Sequence, residues 1–312
     1  MLTIRLTGYD GSRYELPLPL RWDLTYTGGV PCDSMAATCL YDPAMARALP
    51  RAVRFEALRD GETMLAGVVD AYEISLSERG LLATVEGRGM AALLLDNESE
   101  AVTYQRAVTS AVVRRHADPY GIDSITGQPL SLRNYAVSAG SSQWKAIRDF
   151  THRAGGFEPH FTREGTLVLQ SLWGSGRRLS IDGQTPLLRL NKREERYGVI
   201  SEVLIHDKVR GVRQQVVNQP FLDRGGCRRH VLYMPRSTED DRRYTGAYQI
   251  AQSGLEQLTL MAELPIAFAA FPGDQVSLEL KQLGLRGLYD VTESRCRMDE
   301  SGERTELTLS ER

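Results

Sequence analysis

Hydrophobic and polar residues alternate with a period of two along the first part of the chain, which is typical of half-buried β-strands. The alternation begins at residues 2–6 and is interrupted by Asp10-Gly11, a pair typical of a turn. It returns over residues 53–58, and residues 63–75 form a long candidate strand. We therefore predict an antiparallel β domain over residues 1–95.

The period then lengthens to three and four residues, as in amphipathic helices. One predicted helix carries its apolar residues at positions 101, 104, 108, 111 and 112. A second helix is expected to begin at Ser141-Ser142, which can cap its first turn, and to end at Gly155-Gly156. A short hairpin across residues 163–165 follows, so we predict a small α+β domain over residues 96–184.

Strand patterns return in the last third of the chain. The predicted strands cover residues 199–206, 212–217, 229–234 and 258–264, and a helix with apolar residues from Tyr244 onward interrupts them. Phe271-Pro272-Gly273-Asp274 predicts a type II turn, because Pro and Gly occupy its two central positions. We predict a second β domain over residues 185–312.

One pattern occurs near residue 70 and again near the C-terminus. Gly67-Val68-Val69-Asp70 precedes an alternating run, a turn at residues 77–80 that includes Arg79, and a strand ending at Arg88. Gly287-Leu288-Tyr289-Asp290 precedes a similar run, a turn at residues 300–302 and a strand ending at Arg312. Aligning the two motifs requires a longer hairpin in the second copy, and chance similarity between two hairpins is the alternative explanation.

If one β-unit does occur twice, its two copies flank a different domain. The sequence then predicts a mainly β protein with an α+β insertion, in which two similar tube-like antiparallel β-barrel domains flank a small α+β domain. A length of 312 residues agrees with two or three domains, since single cores rarely grow beyond this size.

Candidates for catalysis or metal binding are sparse. The five histidines are isolated along the chain, and Cys227 with His230 supplies only two of the four ligands of a structural zinc site. Glu239-Asp240-Asp241 is interpreted as a solvated acidic loop. No phosphate loop, G-x-S-x-G elbow or H-E-x-x-H pair occurs. We therefore predict no catalytic, cofactor-binding or metal-binding residues, no cofactor, and no enzymatic activity.

Charge, hydropathy and cysteine spacing bear on nucleic-acid binding, membrane insertion and disulfide formation. The formal net charge is −2, so the total charge does not predict binding to a specific nucleic acid. No window reaches the roughly 20 apolar residues needed to cross a bilayer, and no secretion signal is expected at the N-terminus, so we predict no direct membrane insertion. The cysteines, which are Cys32, Cys39, Cys227 and Cys296, lack paired spacing and are expected to be reduced.

The motifs together resemble a family of phage tail proteins. The run from Asp60 to Tyr72, followed by residues 85–98, is similar to the N-terminal domain of baseplate hub proteins from contractile tails. That family includes the XkdQ-like proteins of Gram-positive bacteria and, more distantly, the late-control D proteins. The helix after Ser142 with its hairpin resembles the family's middle region, and the turn at residues 271–274 resembles part of its C-terminal barrel.

The resemblance implies a structural role. In such hubs three chains present six similar domains, so that a homotrimer forms a pseudo-sixfold ring between a hexameric tail tube and a trimeric spike. The implied partners are the tail tube protein, a VgrG-type spike protein, and other baseplate and tape-measure proteins. The implied location is the baseplate of a phage, tailocin or related injection particle, assembled in the bacterial cytoplasm.

Under this interpretation function lies in surfaces. The expected interface elements are the hairpin at residues 63–88, its counterpart at residues 287–312, and the loop after Tyr26, where small and apolar residues through 35–40 could contact a neighbouring ring.

Two alternatives remain open. A tail-associated cell-wall hydrolase could use paired carboxylates, for which Glu194 and Glu195 are examples. A receptor-binding tail module would need an exposed aromatic platform, whereas Trp22, Trp144 and Trp173 occur in patterns that favour core packing.

Overall fold

The computed structural model describes residues 1–31, 33–78, 80–174, 176–195, 197–255 and 257–311. Three residues named above, Cys32, Arg79 and Arg312, lie outside these ranges. The predicted mainly β architecture with an α+β region is confirmed.

The first part of the chain forms seven strands. They are β1 (Leu2–Gly8), β2 (Arg13–Glu15), β3 (Arg21–Thr27), β4 (Ser34–Leu40), β5 (Ala52–Arg59), β6 (Glu62–Ser77) and β7 (Gly80–Gly89). Helix α1 (Met45–Ala48) and a 3₁₀ turn (Leu49–Arg51) connect β4 to β5. All neighbouring pairs are antiparallel, in agreement with the alternating sequence pattern.

The middle of the chain combines short strands with helices. These elements are α2 (Ala92–Leu95), β8 (Glu98–Ser99), β9 (Val102–Val108), α3 (Thr109–His116), a 3₁₀ turn (Asp118–Tyr120), β10 (Ile125–Gly127), β11 (Ser131–Val137), β12 (Ser141–Ser142), α4 (Gln143–Gly155), β13 (His160–Phe161) and β14 (Leu167–Leu169). As predicted, Ser142 caps α4 by accepting a hydrogen bond from the Lys145 amide, and Gly156 ends the helix in the left-handed conformation.

The last part returns to strands around a further helical segment. Its elements are β15 (Arg178–Ile181), β16 (Arg189–Glu194), β17 (Glu202–Asp207), β18 (Val212–Val217), α5 (Gln219–Leu222), β19 (Arg229–Tyr233), α6 (Glu239–Leu255), β20 (Leu258–Leu264), β21 (Gln275–Leu280), a 3₁₀ turn (Lys281–Leu283), β22 (Leu285–Asp299) and β23 (Gly302–Ser310). The predicted type II turn is present: Gly273 has a φ of 91°, and the Asp274 amide donates to the Phe271 carbonyl.

The predicted helix that began near residue 101 is wrong in its first half. Residues 102–108 form β9, which pairs antiparallel with β11 and places Tyr104 opposite Tyr135. The helix begins only at Thr109, where the chain turns: Thr109 Oγ1 accepts from the Leu130 amide at 2.7 Å. Pairing with a distant strand therefore overrides the local three- and four-residue spacing.

Strands from both ends of the chain form one 13-stranded sheet. Its main path runs β16-β20-β23-β22-β3-β4-β7-β6-β5-β1-β2, and β21 pairs with both β22 and β15. The connection between the two ends is the antiparallel pair β22–β3, in which Met298 lies opposite Trp22 and Glu293 opposite Thr27. The N-terminal and C-terminal strands cover separate hydrophobic cores on either side of this connection.

Within this sheet one five-strand unit occurs twice. The first unit has the order β3-β4-β7-β6-β5, and the second has the order β16-β20-β23-β22-β21. All neighbours in both units are antiparallel. The predicted duplication is therefore seen directly in strand order and direction.

The strand registers of the two units also agree. The row of directly paired residues Trp22, Ala37, Val85 and Tyr72 crosses four strands of the first unit. The corresponding row of the second unit consists of Leu190, Ala262, Leu307 and Ser294. Position-by-position equivalence therefore extends from the outer strand of each unit to its long hairpin.

The sequence alignment of the two copies is wrong by two positions. Each long strand carries a β-bulge, at Asp70 in β6 and at Thr292 in β22, and the paired arms beyond the bulges have equal length. Each returning strand begins with a glycine of positive φ, Gly80 at 105° and Gly302 at 100°. Asp70 thus corresponds to Thr292 rather than Asp290, and no longer hairpin is needed.

Residues 199–255, predicted as part of the second β domain, form a separate layer. Strand β17 pairs with β18 antiparallel and with β19 parallel, and Ile250 of α6 packs against their small core. Helix α6 also contacts α4 of the middle region, where Arg153 Nη2 lies 2.6 Å from Asp241 Oδ2.

The predicted acidic loop at residues 239–241 is wrong in conformation and for Asp241, whereas Glu239 and Asp240 are exposed as predicted. These residues form the first turn of α6, where carboxylates interact favourably with the helix dipole. Asp241 is buried and held by Arg153, so this carboxylate is a contact between helices and not part of a solvated loop.

Two glycines, Gly67 and Gly87, lie beside the Phe55 ring in the first unit, and the second unit has no glycines at the equivalent positions. A Cβ atom on Gly67 would lie 2.8 Å from the Phe55 ring, and one on Gly87 would lie 2.6 Å from it. The second unit has Tyr289 and Leu309 at the equivalent positions and the smaller Val276 in place of Phe55. The two glycines therefore make room for the larger buried ring.

We predict that Gly87→Ala lowers the free energy of unfolding by about 1–3 kcal/mol, because the added methyl overpacks the Phe55 ring and the Val68 carbonyl. Chemical denaturation followed by circular dichroism measures the change. The control is Gly29→Ala, where a Cβ atom meets nothing within 4 Å. Equal stability of the two variants would show that the ring and the backbone relax without cost.

Candidate assembly interface

The arm of β6 beyond its bulge has one open edge. Residues 71–77 pair with β7, whereas β5 reaches only to Val68 on the opposite edge. Tyr72, Ile74 and Leu76 are exposed by 42%, 43% and 81%. These residues alternate along the strand and therefore lie on one face, so the arm presents apolar side chains beside an edge at residues 71–76 that no strand of the described ranges pairs.

The equivalent arm of β22 is covered within the chain. Strand β3 pairs with residues 293–298, and Ser294 and Cys296 are only 1% and 3% exposed. Arg295 binds the Asp23 carboxylate of β3, with Nη2–Oδ2 and Nε–Oδ2 separations of 2.5 and 2.9 Å. Two arms of equivalent position thus differ in whether a strand covers them.

Strand β16 forms the other end of the main path. It pairs with β20, and no strand pairs with its outer edge within the described ranges. Its sequence is rich in basic residues, and Arg189, Lys192 and Arg193 are all exposed. Arg193 makes an ion pair with Glu195 just after the strand.

A cavity of about 280 Å³ lies where the first unit meets the middle region. Tyr26 and Phe271 meet there edge to face, with ring centroids 4.9 Å apart, and the Arg163 guanidinium lies 4.2 Å from the Phe271 ring centroid. Asp33 also lines the cavity.

The Asp33 carboxylate is occupied by structural hydrogen bonds. Its Oδ1 atom accepts from the Thr27 amide at 2.8 Å and fixes the loop between β3 and β4. Burial raises the pKa of Asp33 to about 6, although the hydrogen bonds from Thr27 lower it. Burial also lowers the pKa of the neighbouring His160 to about 4. The cavity therefore combines an acid that keeps its proton only below about pH 6 with an imidazole that is neutral above about pH 4.

The other histidines take part in packing or lie on separate elements. His116 is buried, with Tyr104 Oη 3.1 Å from Nε2 and Gln143 Oε1 2.6 Å from Nδ1. His152 stacks on Tyr248, and its Nε2 atom lies 2.9 Å from Glu158 Oε2. His206 and His230 belong to β17 and β19. Sequence reasoning had no signal for these side-chain contacts, because they join distant elements.

Other residues named from the sequence occupy varied positions. Cys39 and Cys296 are buried, whereas Cys227 is exposed. In the part of the chain that the structure covers, no group of three His, Cys, Asp or Glu residues could hold a metal ion. Likewise, none of the helices placed by the structure is long and apolar enough to cross a membrane.

The expected contact of residues 35–40 with a neighbouring ring is wrong for most of the segment. It forms strand β4 in the middle of the first unit, where Met35, Ala37 and Cys39 point into the core. Trp22 and Trp144 are also buried, in agreement with the predicted core packing.

Two solved structures described as tail proteins share this fold. A tail protein from Neisseria meningitidis MC58 matches with a TM-score of 0.79 at 17% identity, covering 99% of this chain and 96% of the other. The 43 kDa tail protein of prophage MuSo2 from Shewanella oneidensis matches with a TM-score of 0.73 at 15% identity, covering 98% of both chains.

A secretion-system component has a related fold. An Escherichia coli component of the type VI secretion system, described as similar to the phage T4 tail proteins gp27 and gp5, matches with a TM-score of 0.54 at 13% identity. The match covers 94% of this chain and 73% of the other. No family model and no curated protein sequence matches the chain. The predicted resemblance to phage tail hub proteins is confirmed at the level of the fold.

We predict that the stability of the protein relative to Asp33→Asn falls as the pH rises from about 4 to 6. The pKa of Asp33 is raised from 3.8 to about 6, so in this window the folded state binds more protons than the unfolded state. Asparagine keeps an oxygen that can accept from Thr27. The expected change in relative free energy of unfolding is on the order of 2 kcal/mol.

Denaturation of both proteins at a series of pH values measures this difference. Glu164→Gln, which removes a carboxylate from the same cavity, controls for the loss of one negative charge. A difference that does not vary between pH 4 and 6 would contradict the assigned protonation of Asp33.

Proposed function

We propose that this chain is a structural baseplate hub of a contractile phage tail, tailocin or related injection particle. Three copies form a ring whose six similar units meet a hexameric tail tube on one side and a trimeric spike on the other. The observation that carries the proposal is the duplicated five-strand unit, with its shared order and register. Two equivalent units in one chain let a threefold assembly present sixfold surfaces.

The fold of known tail proteins supports this role. Two structures described as tail proteins share the fold over nearly the whole chain, and a third is a type VI secretion system component described as similar to phage T4 tail proteins. On this basis the proposed partners are the tail tube protein, a VgrG-type spike protein, and other baseplate and tape-measure proteins. The proposed location is the baseplate, with assembly in the bacterial cytoplasm.

The domain boundaries are also a proposal. Residues 1–95 would form the first tube-like barrel, residues 96–184 the middle domain and residues 185–312 the second barrel. Two observations refine this division: β15 pairs with β21 of the second unit, and residues 199–255 form the layer that packs on α4. The first supports counting residues 178–181 with the second unit, and the second supports setting residues 199–255 apart from the barrel, beside the middle domain.

A non-catalytic role is part of the proposal. Of the carboxylates considered for a hydrolase, Glu194 ends the edge strand β16 and Glu195 pairs with Arg193. We expect no clearing of peptidoglycan in zymograms of the purified chain. Clearing that a single carboxylate substitution abolishes would favour the hydrolase instead.

We predict that the purified protein forms a homotrimer at high concentration or when co-produced with its tube and spike partners. Light scattering coupled to size-exclusion chromatography should give three times the chain mass of 34.8 kDa. Imaging of the assembled particle should place three copies where sixfold density changes to threefold density. A protein that stays monomeric under all these conditions would contradict the proposal.

A further inference from the structure

We propose that residues 71–76 of β6 in one copy pair antiparallel with residues 190–195 of a second copy. This inference rests on the proposed ring of copies, and it specifies which strands close that ring. Each segment has one edge that no other strand pairs among the residues the structure describes, one on the arm of β6 and the other on β16 at the end of the main path. The direction and register of the proposed pairing follow those of an equivalent strand pair inside one chain, β22 with β3.

The template is the pairing of β22 with β3 inside one chain. There, residues 293–298 of the second unit pair with residues 22–27 of the first unit. In this contact the arm beyond a bulge pairs with the outer strand of the neighbouring unit. A repeat of the same contact between chains must therefore use the arm of the first unit, β6, and the outer strand of the second unit, β16.

The equivalence of the units fixes the register. Trp22 of β3 corresponds to Leu190 of β16, because they begin the matching rows that reach Val85 and Leu307. Met298, which lies opposite Trp22, corresponds to Leu76. Leu76 should therefore lie opposite the partner's Leu190.

The same register gives the remaining pairs along the two strands. Ser75 should lie opposite the Asn191 position of the second copy, and Glu73 opposite its Arg193 position. A slip by one residue would turn the alternating side chains of β6 to the opposite face, so the register is a specific claim.

The charges of the two segments suit this register. In the template, Arg295 of the arm binds Asp23 of the outer strand. At the position equivalent to Arg295 the arm of β6 carries Glu73, which this register sets opposite the basic Arg193. The residue equivalent to Asp23 is the neutral Asn191. Each arm therefore carries a charge that its own outer strand can pair, Arg295 with Asp23 inside the chain and Glu73 with Arg193 between copies.

The exposed apolar side chains on the arm of β6 are a second argument for a contact with another copy. Tyr72 and Ile74 correspond to Ser294 and Cys296, which are almost fully buried beneath the template contact. The uncovered arm thus has larger apolar side chains than its covered counterpart. Soluble proteins usually protect such an edge, and a strand of a second copy would cover it while satisfying its backbone groups.

The two open segments are complementary to each other rather than to themselves. A contact between them is therefore heterologous, and it closes into a ring when the rotation between copies permits. A self-complementary dimer through two β6 arms would instead place Glu73 near a second Glu73. We therefore take a second copy of this chain, contacted through β16, as the occupant of the β6 edge.

Disulfide trapping tests the register. Ser75→Cys and Asn191→Cys are combined in one chain in which Cys32 and Cys227 are replaced by Ser. Directly opposed residues of paired strands lie within the Cα distance that a disulfide spans. After mild oxidation we expect covalent trimers on a denaturing gel, because each copy of a closed ring is linked to both neighbours.

Two matched double-cysteine variants control this experiment. Asp23→Cys with Arg297→Cys places the same pair at the template contact and should give an intrachain disulfide. Ser75→Cys with Arg189→Cys displaces the pair by two residues, so that linked chains should be much rarer. Stronger cross-linking of the displaced pair would overturn the proposed register.

The outcomes separate this inference from the proposed function. If light scattering gives a trimer and the template pair oxidises, absence of the Ser75–Asn191 cross-link overturns the strand pairing and leaves the trimeric hub intact. If no oligomer forms alone or with the tube and spike partners, both proposals fail. Covalent trimers with the predicted pair support both.

A second measurement tests the apolar cover without cysteines. Leu76→Lys should raise the concentration at which half of the trimer dissociates by about tenfold, because it places a charge where a leucine becomes buried. Val209→Lys, at an exposed residue in the turn between β17 and β18, is the matched control and should leave dissociation unchanged. Equal effects of the two variants would contradict the contact at Leu76.

Discussion

The antiparallel pairing of β22 with β3 is the interaction on which the arrangement of the two units depends. It joins residues about 270 positions apart, so it becomes favourable only after both units have folded enough to present their edges. The bulge at Thr292 allows it, because the strand bends away from β21 and continues along a new neighbour. One extra residue in a strand thereby converts two separate sheets into one.

The ion pair on this contact contributes more to geometry than to stability. Arg295 is partly exposed, so its attraction to Asp23 is screened by solvent, and surface pairs of this kind are worth about 0–1 kcal/mol. Backbone hydrogen bonds and the burial of Cys296 and Leu24 supply the larger share. The ion pair instead favours this register of β22 against β3.

Sequence reasoning predicted the elements whose signals are local. The cap at Ser142, the turn at Pro272-Gly273 and the alternation of residues 258–264 depend on neighbouring residues, and each is present. Residues 102–108 were predicted as a helix because their apolar spacing fits one, yet they pair with β11. Asp241 was predicted to be solvated because it belongs to an acidic cluster. Its partner, Arg153, lies on another helix, and no local signal in the sequence shows that the two residues meet.

The alignment of the two copies shows why the site itself was harder to predict. The glycine and aspartate motifs match in letters, but the bulges fall at Asp70 and Thr292, and a bulge has no fixed residue type. Strand order and register are the same in the two units, but side-chain identity is not. Phe55 in the core of the first unit, for example, corresponds to Val276 in the second. Only when register is known can the exposed arm of β6 be compared with its buried equivalent. The difference between those two arms, and not any residue motif, identifies the surface that a second subunit would cover.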